Sequence, residues 1–174
     1  MSENKDLGVF CERALERGAS WARAVPASYI VTAPWVLHKC KYGCGAYGHN
    51  HKCPPRTPAP EETARIIASY ERAILVMYES DNPKCGNING DLVALEREVF
   101  LDGYERAAAF GAGPCSLCKE CDVSKPCPRG KEARPALEAC GIDVYSTFGQ
   151  AGVTLEVVPD YESPFKLCGA ILVD

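Results

Sequence analysis

A chain of 174 residues, 47% apolar and 24% charged, is long enough to bury one real core, is short for two, and does not have the composition of a disordered polypeptide. A formal net charge of −4, with no basic run or aromatic-and-basic stripe in view, speaks against nucleic acid as the main partner and gives slight support to a basic protein partner. Eleven cysteines behind a charged start, Met1-Ser2-Glu3-Asn4-Lys5-Asp6, with no apolar signal region, speak against a secreted disulfide scaffold.

No apolar run reaches the ~20 residues of a membrane span, so no membrane is expected. The expectation is a reducing cytoplasm with the thiols committed to metal. Thiolate ligands would make the loaded protein more acidic still.

In chain order, residues 5–17 carry Leu7, Phe10, Cys11, Ala14 and Leu15 at helical spacing with Gly18 as a stop, which makes Cys11 a core thiol. Residues 27–32 have the β-branched character of a strand. Residues 33–60 hold Pro54, Pro55, Pro58, Pro60 and all three histidines, and read as a loop that carries chemistry. Glu61 and Glu62 open a helix that runs to about Ser69. Residues 72–78 form the clearest buried strand, and residues 81–90 a surface loop containing Cys85.

Asp91 is expected to cap a long helix marked by Leu92, Leu95, Val99, Phe100, Tyr104 and Ala107 and ended by Gly111. Gly103 inside it costs about 1 kcal/mol against alanine. Arg134-Pro135 starts a short helix ended by Gly141, and Asp143 caps another to about Gln150. Residues 153–158 and 167–173 read as strands. Four strands and five helices in mixed order predict a single α/β or α+β domain over residues 1–174. One small sheet would carry the helices, with two cysteine-rich metal loops at 40–55 and 113–128.

The second of these loops is the sharper signal. Gly113-Pro114-Cys115-Ser116-Leu117-Cys118-Lys119-Glu120-Cys121, followed by Cys127-Pro128, is the pattern of a loop wrapped around an iron–sulfur cube. A CxxC pair chelates one ion, whereas a middle cysteine with a neighbour on either side suits several irons. Tetrahedral zinc more often takes two separated pairs. Four structural thiols would sit poorly in so polar a loop.

The first loop, Cys40-x3-Cys44-x8-Cys53-Pro54-Pro55, has only three local cysteines. Zinc could complete its shell with His49 or His51. A cube would need a distant fourth ligand or keep one iron open. Among Cys85, Cys140 and Cys168, Cys140 ranks first as that ligand, Cys168 reads as a core residue, and Cys85 as either ligand or exposed thiol. His38 reads as solvated or hydrogen-bonded. Two cysteine sets can hold two clusters or share ligands around one, because a cysteine before proline serves the other cluster in two-cluster ferredoxins.

Cys40…Cys44-Gly45-Ala46-Tyr47-Gly48…Cys53-Pro54-Pro55 resembles the first motif of a cysteine-rich, predicted metal-binding family, domain of unknown function 2284. Its second motif resembles the later run Gly103-Tyr104…Cys115-x2-Cys118-x2-Cys121-x5-Cys127 with Arg134-Pro135-Ala136-Leu137-Glu138-Ala139-Cys140-Gly141. The resemblance runs from about residue 30 to the end. It implies metal binding, iron–sulfur in kind, in an anaerobic prokaryote. Ala136 stands where a serine is expected. Arg134 and Glu138, just after the loop, are candidates for polar groups backing the ligands.

Three functions fit these residues. The first is electron transfer to a redox partner through one or two [4Fe-4S] clusters held by Cys115, Cys118, Cys121, Cys127 and by Cys40, Cys44, Cys53 with Cys140. The second is an enzyme with an open iron at the three-cysteine set, with Lys39, Tyr47, His49 and His51 as acid–base groups. The third is a structural zinc module. No nucleophile elbow, phosphate loop, dinucleotide fingerprint or HExxH motif points elsewhere.

Overall fold

A computed structural model describes residues 6–81, 87–160 and 162–174. The apolar run Arg72–Glu79 (β2) and the C-terminal strand Lys166–Leu172 (β4) pair antiparallel at the centre of a four-stranded sheet of order β1-β2-β4-β3. All pairings are antiparallel, which makes the domain α+β rather than α/β.

Alternation along β2 sorts two cores. Ala73, Leu75 and Met77 face one side, and Ile74, Val76 and Tyr78 the other. Helix α1 (Gly8–Glu16) and helix α4 (Ile88–Leu101) cover the second side with Phe10, Ala14, Leu92, Leu95 and Val99. The first side is closed by Ile67 of helix α3 (Pro60–Ile67), Phe148 of helix α5 (Val144–Gln150), and Leu137, Cys140 and Ile142. Asp143 caps α5 as expected, accepting from the Ser146 backbone N–H at 3.0 Å.

Both edge strands differ from the expected ones. Strand β1 is Trp21–Pro26 rather than residues 27–32, and it lies on the edge, where exposed Arg23 and Ala24 are tolerated. Pro26 lacks an N–H to continue the ladder, and Ala27–Tyr29 turn into a 3₁₀ segment. Strand β3 is the three-residue Ala108–Phe110, while residues 153–158 join no ladder. On α1, Leu15 is 45% exposed, outside the buried stripe.

Helix α4 begins one turn earlier than expected: Asn87, not Asp91, accepts from the Gly90 N–H. It also stops at Leu101 rather than at Gly111. Gly103 has φ +104°, and the N–H groups of Asp102, Gly103 and Tyr104 close on the carbonyls of Glu98, Phe100 and Val99. The glycine ends the helix instead of weakening its middle. A Cβ there would meet nothing within 4 Å, so Gly103→Ala carries a conformational cost alone. The expected loss is about 1–2 kcal/mol of unfolding free energy, read from urea titrations.

The largest departure is in residues 33–60. Pro34–Gly43 form helix α2, with Pro34 in its first turn. Its apolar content is modest and only Val36 is buried, so no buried stripe announced it. The helix packs on a 3₁₀ turn at Glu138–Cys140, all that forms of the helix expected at 134–141. Gly141, at φ +75°, ends that turn so close to α3 that a Cβ would fall 2.6 Å from Pro60 Cγ.

Candidate metal centre

The loop after β3 is pinned at both ends before any metal is considered. At its start, the Asn89 side chain accepts from Ala112 N–H at 2.9 Å and donates to Ala112 C=O at 3.0 Å. Gly111 N–H donates to Pro135 C=O at 2.8 Å, and Leu137 N–H to Gly111 C=O at 3.1 Å. At its far end, Arg134 turns away from the cysteines and forks onto buried Glu96, with Nε 2.8 Å and Nη2 2.6 Å from Oε2. Arg134 therefore anchors the loop.

Between these anchors Cys115, Cys118, Cys121 and Cys127, all half-buried, line one cavity of about 260 Å³. Cys127 faces the same space as the other three. Inside the loop Asp122 accepts from the Ser124 N–H and hydroxyl and pairs with Lys125. These bonds hold its carboxyl below the usual range.

The first cysteine loop forms a neighbouring wall. Cys40 lies on the inward side of α2, one turn after Val36, and Cys44 is the residue that ends the helix. Cys53 is buried, after turns in which Gly48 N–H donates to Pro54 C=O and Arg56 to Gly48 C=O. Cys40, Cys44 and Cys53 line a second cavity of about 220 Å³, shared with Tyr47, Pro114 and Glu138. Ala136 presents its methyl there, so the expected hydroxyl is absent from the wall.

Two side chains tie the loops together. Buried Asn50 donates to Cys115 C=O at 2.9 Å and accepts from Lys52 N–H. His51 Nε2 lies 3.1 Å from Asp122 C=O; since a carbonyl only accepts, Nε2 carries the proton. His51 thus latches one loop to the other beside the four-cysteine cavity, and exposed His49 lines neither cavity. Asn50 carried no sequence signal, because its role exists only once the loops meet.

Cys140 does not join either set. It is 0% exposed within the apolar core and lines neither cavity. Cys168 is also a core residue and half-buried Cys11 packs against the other core, while Cys85 lies outside the described residues.

Burial pushes the Cys140 and Cys168 thiols up to about 12. Their folded pKa is raised above the ordinary value of 9.0, so the stability they contribute is whole below pH 9 and is lost as pH rises toward 12. The expected slope is at most about 1.4 kcal/mol per pH unit per thiol. Urea titrations at about pH 8 and 10.5 should show a flatter alkaline loss in Cys140→Ala/Cys168→Ala than in the parent. Equal slopes would refute the assignment of both thiols to the core.

The two cavities sense each other. Burial raises the Cys53 thiol to about 11, and the neighbouring Cys44, Cys40, Cys115 and Cys121 push it the same way. Cys40 is raised by burial, then by Cys44 and Glu138. Glu138 keeps solvent contact as a residue, yet burial raises its carboxyl. A concave position reconciles the two. Glu138 stands where the three-cysteine cavity meets a hollow of about 290 Å³ beside α2 and a groove of about 440 Å³ under residues 154–159.

The donors are soft thiols, the choice of zinc, copper(I) and iron–sulfur centres. A tetrahedral ion draws its sulfurs to about 2.3 Å from itself. Among the described residues no group of three or more His, Cys, Asp or Glu side chains is gathered for a single ion; the thiols line wider cavities. Among the described residues no helix is long and apolar enough to cross a membrane. No curated protein and no solved structure matches the chain. A family profile does, over residues 23–173. With seven thiols around two adjoining cavities and most of its length matched, the chain belongs to the family of predicted metal-binding proteins called domain of unknown function 2284.

Proposed function

We propose that this protein is an iron–sulfur protein with two [4Fe-4S] sites, one held by Cys115, Cys118, Cys121 and Cys127 and one by Cys40, Cys44 and Cys53, working in electron transfer with a redox partner. The observation that carries this reading is the sorting of seven cysteines into two adjoining cavities, four and three. Cavities of about 260 and 220 Å³ suit a polynuclear group better than a lone ion. When bound, such clusters supply reversible one-electron chemistry. The chain would fix their spacing through the Asn50 and His51 bonds and restrict water around buried Cys53. A reducing, oxygen-poor cytoplasm follows from that chemistry.

Anaerobically purified protein is expected to be brown, with broad absorbance around 400 nm and about eight iron and eight sulfide per chain. Colourless protein with about two zinc per chain would overturn the reading in favour of a structural zinc module.

One observation favours a second reading, catalysis at the three-cysteine site. Glu138 joins that cavity to the larger groove, giving a small molecule a path past a carboxyl group. Tyr47 lines the same cavity, whereas Lys39 lines the hollow by α2. Adding sulfide or cyanide would then change the spectrum, and Glu138→Gln would alter that response. A spectrum indifferent to both ligands leaves electron transfer alone.

A further inference from the structure

Helix α2 exposes a face that only its folding reveals. Trp35, His38, Lys39 and Tyr42 recur at helical spacing and are all exposed, with Lys41 beside them. Trp35 and Tyr42 are 46% and 72% exposed. Lys39 Nζ lies 5.7 Å from the Trp35 ring and Lys41 Nζ 5.4 Å from the Tyr42 ring, while the His38 and Tyr42 rings meet at a tilt of 51° with centroids 4.9 Å apart. This is the aromatic-and-basic stripe that the linear sequence did not display.

Charge along the chain is uneven. Between Glu16 and Glu61 there is no acidic residue, but there are Arg17, Arg23, Lys39, Lys41, Lys52 and Arg56. The net charge of −4 is therefore the balance of a basic segment and a strongly acidic remainder. Arg17 pairs with Glu98 and Arg23 donates to Ala151 C=O. Among the described residues no carboxylate pairs with Lys39, Lys41, Lys52 or Arg56.

From this we infer that the exposed face of α2 is the docking surface for an acidic electron-carrier protein. The inference rests on the electron-transfer reading and names its partner. Three observations converge. The face is basic on an acidic molecule, so it would orient an approaching negative patch while the remainder repels it. It carries exposed aromatics of the kind that anchor interfaces. It also lies on the helix that contributes Cys40, and ends at exposed Cys44, so a carrier seated there stands next to the three-cysteine cavity. Trp35 and Lys39 share a hollow with Cys40 and Cys44, which brings the face and the thiols into one surface.

The test titrates the oxidised form of a strongly acidic plant-type ferredoxin into the anaerobic protein by calorimetry, with basic cytochrome c as the opposite-charge probe. The expected result is binding of the ferredoxin that weakens at least about tenfold from roughly 20 to 300 mM salt. Lys39→Glu/Lys41→Glu is expected to weaken it about tenfold, and Arg65→Glu/Arg97→Glu, of equal charge change, to leave it within about twofold. Stopped-flow reduction should follow the same order.

Equal weakening by both double variants, no binding, or a preference for cytochrome c would overturn the inference. So would tighter, lysine-dependent binding of a short DNA duplex. Iron counts on the same sample judge the cluster reading separately. The equilibrium titration requires no electron to move, so it decides docking even for a preparation that holds no iron.

Discussion

On the two-cluster proposal, replacing Cys53 by alanine is expected to halve the metal content, from about eight iron per chain to about four, with the remaining absorbance belonging to the four-cysteine site. Cys53 is the most enclosed of the seven cavity thiols, 6% exposed, and lines its cavity with Cys40 and Cys44. With only two thiols left in its cavity, that site cannot hold a cluster. The four-cysteine loop keeps its own anchors, Asn89 on Ala112 and Arg134 on Glu96, and should load normally. Cys118→Ala is the complementary loss. Cys140→Ala is expected to keep all the metal while losing some stability as a small core truncation. Iron and sulfide analysis with anaerobic spectra on the three variants checks the assignment. Iron loss in Cys140→Ala, or full iron in Cys53→Ala, would sink it.

Which parts of this were legible in sequence follows from what each part depends on. The central strands were, because β2 and β4 are buried by their own continuous apolar runs. The edge strands were not. β1 has exposed positions and β3 only three residues, so each exists by pairing with a central strand rather than by its own pattern. Helix α2 was hidden because it buries one residue, Val36, and spends its remaining surface on a thiol and a solvent-facing aromatic stripe. The grouping of the loop cysteines into a set of four and a set of three was legible from spacing, and the structure seats each set around a cavity of its own. The burial of Cys140 in the core, away from both cavities, was not legible, since sequence proximity to the loop carries no information about which way a side chain packs. Asn50 and His51 could not be found as latches, because their partners are backbone carbonyls more than sixty residues away.

Removing the carboxyl of Glu96 is expected to be the most damaging change away from the cysteines. Glu96 is 8% exposed, and its Oε1 accepts from Ala109 N–H at 2.9 Å while both oxygens hold Arg134. One side chain thus binds an edge strand, helix α4 and the end of the cysteine loop. Glu96→Ala leaves a guanidinium that is 25% exposed facing an emptied cavity, and it orphans the Ala109 donor. Breaking such a pair from one side costs about 3–5 kcal/mol; the partial exposure of Arg134 puts the expectation near 3.

Glu96→Gln keeps an acceptor for Ala109 and should cost less, about 1–2 kcal/mol. Glu96→Leu/Arg134→Met removes both charges and is expected to cost much less than the sum of its single changes, since neither partner is left buried alone. Urea unfolding of Glu96→Ala, Glu96→Gln, the double variant and its two single changes reads these energies, and additivity of the double variant would refute a coupled pair. The second readout is metal retention. Arg134 also donates to Ala133 C=O at 3.0 Å, so its release frees the loop just beyond Cys127. Iron should then pass to a chelator several-fold faster from Glu96→Ala than from the parent, with the loss confined to the four-cysteine site if the loop is held as described.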